Sequence, residues 1–130
     1  MKPRTLRDIE AAFRSSWSAE TCDQVDVAHW STTNPARGQC GATALTLNDL
    51  LGGELLVAEV LFLRGIRQGF HYWNLLSGGV EVDLTRGQFA SIEVVQAPEV
   101  VVLPPGLPGR GSKQYLLLKD RVFAALAHAA

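Results

Sequence analysis

Leu6, Ile9, Phe13 and Trp17 recur at spacings of three and four, with Arg7, Glu10 and Arg14 between them. That spacing lines the apolar side chains along one stripe, so it predicts an amphipathic helix from Thr5 to Trp17. From Ser18 to Gln39 the periodicity fades among Pro35, Gly38 and several Ser, Thr, Asp and Asn residues. An irregular segment of this length is unusual in a compact domain and points to function. Cys40, Ala44, Leu47 and Leu51 then follow at i, i+4, i+7 and i+11, with Gly52-Gly53 after them. This predicts a second helix with Cys40 in its first turn and glycines closing its end.

Leu55 to Leu63 is a nearly continuous apolar run with branched Val57 and Val60, which reads as a central strand. Phe70 to Leu76 and Val80 to Leu84 flank Ser77-Gly78-Gly79, a hairpin pattern. Thr85 to Phe89 reads as one helical turn. Ile92 to Leu103 holds strand-like Val pairs broken by Pro98, and Leu103 to Gly111 is a turn-rich loop of Pro and Gly. Ser112 is placed to cap a last helix whose apolar face carries Tyr115, Leu118, Val122 and Leu126. Helix, helix, strands, helix predicts an α+β domain on a largely antiparallel sheet.

Composition narrows the function classes. The chain has 130 residues, 47% hydrophobic and 19% charged, enough apolar content for one core and one domain spanning 1–130. With 12 Lys and Arg against 13 Asp and Glu, the net charge is −1 and no basic patch is present, which argues against a nucleic-acid partner. The start, Met1-Lys2-Pro3-Arg4, leads into a charged segment without an apolar core, and no run is long enough to span a membrane. The expectation is a cytoplasmic protein in which Cys22 and Cys40 stay thiols.

A thiol is a good nucleophile as its anion, and a helix N-terminus stabilises that anion through unpaired N–H groups. Cys40 has that position, and a nearby imidazolium would lower its pKa further below the usual value of about 8.5. Of the three histidines, His128 is near the chain end and His29 lies in the irregular segment, while His71 opens a strand beside Asp83. The hairpin register decides whether the pair can meet. A two-residue turn would pair Ser77 with Val80 and send His71 and Asp83 to opposite faces. A three-residue loop pairs Leu76 with Val80, sets Trp73 opposite Asp83, and leaves His71 and Asp83 as diagonal neighbours about 7–8 Å apart at the backbone. The expectation is the three-residue loop.

Gly38-Gln39-Cys40 at a helix start, His71-Tyr72-Trp73-Asn74 and Asp83-Leu84-Thr85 resemble the G-Q-C, H-x-W-N and D-x-T motifs of the transglutaminase-like branch of papain-like thiol enzymes, in that family's order. Over almost its whole length the chain also resembles the small bacterial YunG-like proteins. Their pattern includes an upstream Trp and Cys, N-P-x-x-G-Q-C, H-Y-W-N and D-L-T, and Asn34 to Cys40 fit it. The resemblance implies a papain-like core and a triad: Cys40 as nucleophile, His71 as acid and base, Asp83 as the group that orients His71. It also implies a site wall or oxyanion role for Gln39, Trp30, Trp73 and Asn74. Large flanking domains and calcium sites do not fit in 130 residues, so calcium-dependent crosslinking is not implied.

The expected activity is attack on an amide, ester or thioester of a small molecule or peptide through an S-acyl intermediate, ending in hydrolysis, deamidation or acyl transfer, with no cofactor. Two other readings stay open. One is a binding or regulatory domain that keeps the architecture without turnover. The other is a zinc domain using Cys22, Cys40, His71 and either His29 or Asp83, although paired C-x-x-C spacing is absent.

Overall fold

In a computed structural model, which describes residues 5–62, 65–102 and 111–128, the chain forms three helices and a five-stranded antiparallel sheet. Helix α1 (Leu6–Ser16) starts at a capping box: the Thr5 hydroxyl accepts from Asp8 N–H at 3.1 Å and the Asp8 carboxylate accepts from Thr5 N–H at 3.0 Å. The irregular segment contains two 3-10 turns, Ala19–Thr21 and Gln24–His29. Helix α2 (Cys40–Leu51) begins at Cys40 and ends at Gly52, whose N–H reaches Asn48 O at 2.8 Å.

The central strand β1 (Glu54–Phe62) pairs along one edge with β2 (Arg67–Leu76). Its other edge takes β4 (Glu93–Val95) near its end and β5 (Glu99–Val101) near its start, with Pro98 between them. Strand β3 (Val80–Val82) pairs β2 through Leu76–Val80, Leu75–Glu81 and Asn74–Val82, the register of a three-residue loop. Gly78 and Gly79 hold φ of 85° and 83°, values that a loop this tight requires and that other residues rarely adopt. Arg86–Gln88 forms the short 3-10 turn, and α3 (Ser112–His128) closes the chain with Ser112 inside its first turn. The sequence-based expectations for Met1 to Arg4, Leu63 and the loop from Leu103 lie outside the described residues.

Helix α2 packs on one face of the sheet, and α3 packs against both α2 and α1. Phe13 of α1, Leu47 of α2, and Leu118 and Val122 of α3 are fully buried and meet Val82 of β3. Each such side chain contributes about 1.5–3 kcal/mol through removal of apolar surface from water. The opposite face carries a smaller cluster, Leu56, Ala58 and Trp73, with Val95 against it. Side chains alternate along β2, so Asn74 and Tyr72 face α2 while His71 and Trp73 face away. No helix among the described residues is long and apolar enough to cross a membrane.

Candidate active site

The turn that delivers Cys40 is tied on every side. Gly38 has φ of 70°, and a Cβ there would overlap the Cys22 sulfur and crowd Asp26, so both conformation and space demand glycine. Gly38 N–H donates to Gln88 Oε1 at 3.1 Å, and Asp23 N–H donates to Gly38 O at 2.8 Å. Asn34 Nδ2 donates to Gln88 O at 3.0 Å, and Arg37 bridges Asp26 and Glu93, each at 3.3 Å. The segment Asn34 to Gln39 is therefore a bracket that holds the start of α2 against the Arg86–Gln88 turn.

Two of the expected site-wall residues belong to this bracket. Gln39 is fully buried, its Oε1 accepting from the Thr21 hydroxyl at 2.7 Å and its Nε2 donating to Ser18 O at 3.0 Å. Trp30 Nε1 donates to Pro35 O at 3.0 Å. Both N–H groups are engaged within the loop, so neither is free to hold an oxyanion. Asn74 Nδ2 donates to Ala44 O at 2.9 Å and fastens α2 to β2.

His71 and Asp83 meet as the register requires: Nε2 lies 2.7 Å from Asp83 Oδ2. Trp73 repeats the same diagonal, its Nε1 donating to Glu81 Oε1 at 2.8 Å. The His71 ring is completely buried, stacked on Trp73 with centroids 5.3 Å apart and met edge-on by Phe89 at 4.8 Å. Arg86 Nε donates to the same Asp83 oxygen at 2.7 Å while its guanidinium lies 5.1 Å from the Trp73 ring. An ionised carboxylate only accepts, so Nε2 carries the proton and Nδ1 is assigned the bare lone pair. That Nδ1 is buried and has no hydrogen-bond partner.

Cys40 approaches from the other side of the strand. The backbone N–H groups of Tyr72 and Gly41 act on its sulfur. Strand N–H groups lie in the plane of the sheet, and β1 occupies one edge of β2 while β3 pairs only Asn74 to Leu76 on the other. The sulfur therefore sits at the edge that β3 leaves open, one residue along the strand from His71. No hydrogen bond joins the sulfur to Nδ1 in this arrangement.

The expectation of an acidic thiol is corrected here. Burial pushes the Cys40 thiol up to about 11, and the Asp83 and Asp26 charges add to the rise. The N–H groups of Tyr72 and Gly41 oppose the shift without reversing it. Desolvation outweighs the helix terminus, so Cys40 rests as a thiol at neutral pH.

Cys22 is buried, donates to Arg37 O at 3.3 Å and Asp23 O at 3.4 Å, and is raised to about 12 by burial and the nearby Asp26 and Asp23. It packs the bracket. Among the described residues no group of three or more His, Cys, Asp and Glu side chains is placed to hold a metal ion, which removes the geometric basis of the zinc reading. The sequence reading missed Gln88, Phe89, Arg86 and the Tyr72 N–H. Phe89 was visible as an aromatic ending a short turn, but its contact with His71 is long-range and has no local signal.

The profile of the family described as YunG protein matches residues 5–127. The Bacillus subtilis (strain 168) protein named "Uncharacterized protein YunG" is 30% identical over 94 residues, covering 72% of this chain and 71% of that protein. No solved structure matches.

Proposed function

The chain belongs to the YunG family, and from the geometry of its site we propose that it is a thiol enzyme of the papain-like, transglutaminase-like kind. It acts on an amide, ester or thioester of a small molecule or peptide in a reducing, cytoplasmic setting. The observation that carries this reading is the buried Nδ1 of His71, a lone pair without a partner on a ring oriented by Asp83. A buried polar atom left unpaired is costly, and catalytic sites are where such atoms accumulate.

Cys40 rests protonated, so its proton moves to Nδ1 as the sulfur attacks the carbonyl carbon, in place of a preformed ion pair. The S–C bond forms and the carbonyl electrons pass to oxygen. At the first helical position the Cys40 N–H has no partner within α2 and is placed to bind that oxyanion. Collapse of the tetrahedral intermediate expels the amine, alcohol or thiol, which takes the proton from His71. Water or an amine then attacks the S-acyl enzyme and gives hydrolysis, deamidation or acyl transfer. Catalytic hydrogen bonds are often long before substrate binds, which fits the missing Cys40–His71 bond.

A second reading, a binding domain without turnover, is favoured by the raised thiol and that missing bond. Incubation with a panel of activated esters and thioesters, followed by peptide mass spectrometry, separates the two. A thiol enzyme shows an acyl adduct on Cys40 that Cys40→Ala abolishes and His71→Gln slows at least about a hundredfold. Absence of any adduct across the panel, or equal rates with and without His71, supports the binding domain.

A further inference from the structure

Before Asn74, β2 has one edge that β3 does not cover. Phe70 stands opposite Glu59 of β1, yet the Glu59 carbonyl accepts from Gln96 N–H at 2.9 Å on the far side of β1. Glu59 and Phe70 are therefore a pair without hydrogen bonds between them, and the N–H and C=O of Phe70 point away from β1. Tyr72, two residues on, has the same orientation, and its N–H meets the Cys40 sulfur. Among the described residues no backbone hydrogen bond reaches the N–H or C=O of Phe70. Strand groups left open in this way are a template for another chain, and these lie about 7 Å from the thiol's own place on the strand.

The cleft beside Cys40, about 910 Å³, follows that edge. Gly69 and Phe89 border it from the His71 face of the sheet, and Phe70 and Tyr72 border it from the α2 face. A cleft lined from both faces meets the side of the strand. The Phe70 ring lies under the Arg67 guanidinium at 4.4 Å, which leaves the backbone of Phe70 as its offer to a ligand. Gln68 is the extra residue of the bulge between Val60 and Leu61; it lines the same cleft, and its Oε1 is buried without a hydrogen-bond partner. The bare Gln68 oxygen and the open Phe70 carbonyl both call for N–H donors, and an extended peptide presents N–H groups along one edge at every second residue.

We propose that the substrate is a peptide in extended form, added to this edge of β2 as an antiparallel strand, the sense of every other pairing in the sheet. Its reacting carbonyl lies opposite Tyr72 at the Cys40 sulfur. The residue two positions C-terminal to that carbonyl pairs with Phe70, accepting from its N–H and donating to its C=O. The proposal deepens the thiol-enzyme reading by narrowing its substrate class, and rests on it for the chemistry at Cys40. Its test does not need turnover.

Iodoacetamide and iodoacetyl-trialanine amide both alkylate a thiol: the sulfur bonds to the methylene, iodide leaves, and the thiol proton goes to buffer. Rates at Cys40 are read by peptide mass spectrometry, and each is divided by that reagent's rate with glutathione. The wild type is expected to favour the peptide about tenfold, the scale of one or two backbone hydrogen bonds. N-methylation of the second alanine, the one opposite Phe70, removes that preference. N-methylation of the first or third, whose N–H points away from β2, leaves most of it. Phe70→Pro removes the strand N–H without touching the β1 ladder and abolishes the preference, whereas Phe70→Ala keeps the N–H and the preference. In every variant the peptide rate is divided by the iodoacetamide rate, so that a change in the thiol itself cancels. A glutathione-like ratio in the wild type, equal losses at all three methylated positions, a preference that survives Phe70→Pro, or a Cys40 that the peptide does not alkylate overturns the proposal. Should Phe70→Pro not fold, the methylated peptides decide on the wild type alone. If the pattern holds and no ester or thioester leaves an adduct on Cys40, the thiol-enzyme reading alone fails; adducts without the pattern remove the peptide and leave that reading standing.

Discussion

Asp83 is a switch for the tautomer of His71. Its carboxylate accepts from Nε2 and leaves Nδ1 free to take a proton, whereas a carboxamide can donate to Nε2 and move the ring proton to Nδ1. Asp83→Asn is therefore expected to lower the rate of Cys40 acylation by about 10³ to 10⁴-fold while the melting temperature changes little. Comparing acylation rates with thermal unfolding checks it, and an equal loss of both would mean that Asp83 serves only the fold. Cys22 gives a pH test of the bracket. Its folded pKa is raised from 9.0 to about 12, so the folded state keeps a proton that the unfolded chain loses. That contribution to stability is complete below pH 9.0 and falls away as pH rises toward about 12. Urea unfolding across that window should show the decline in wild type and a shallower one in Cys22→Ala.

At the level of elements, the site is a meeting of a helix start, a strand edge and a 3-10 turn: the segment Asn34 to Gln39 ties the helix start to the turn, and Asn74 ties the helix to the strand. Gly38 is the narrowest point. Alanine there must adopt φ of 70° and overlap the Cys22 sulfur, so Gly38→Ala is expected to cost about 1–3 kcal/mol for the backbone alone, more with the overlap. Denaturant unfolding reads that loss, and a neutral result would mean that the bracket relaxes freely. The helix start at Cys40 and the hairpin register were legible in the sequence because they depend on local signals, the i, i+4 apolar spacing and the Ser77-Gly78-Gly79 turn. The partners of Gln39, Trp30 and Asn74 were not. Each pairs with a backbone carbonyl or hydroxyl that only the folded chain brings near.

Across the whole molecule, helix α2 packs on one face of the sheet and a smaller cluster covers the other, and the catalytic candidates lie where the two faces share an open edge. Leu118 couples α3 to that larger core at 0% exposure, so Leu118→Ala is expected to destabilise the single domain by about 2–5 kcal/mol, measured as a lower denaturant midpoint. The α+β class, the hairpin register and the meeting of His71 with Asp83 were readable from the chain. The state of the thiol was not, because the helix terminus and the motif are local while desolvation depends on the strands, turn and loop packed around Cys40. The central claim, that His71 is the base for Cys40, is tested most directly by the iodoacetamide rate at Cys40 against pH in wild type and His71→Gln. The account predicts that near neutral pH the variant reacts at least about tenfold more slowly, because the protonated thiol has lost its proton acceptor. The two rates should converge as pH approaches about 11, where the thiol ionises unaided. Coincident profiles across the whole range would contradict it.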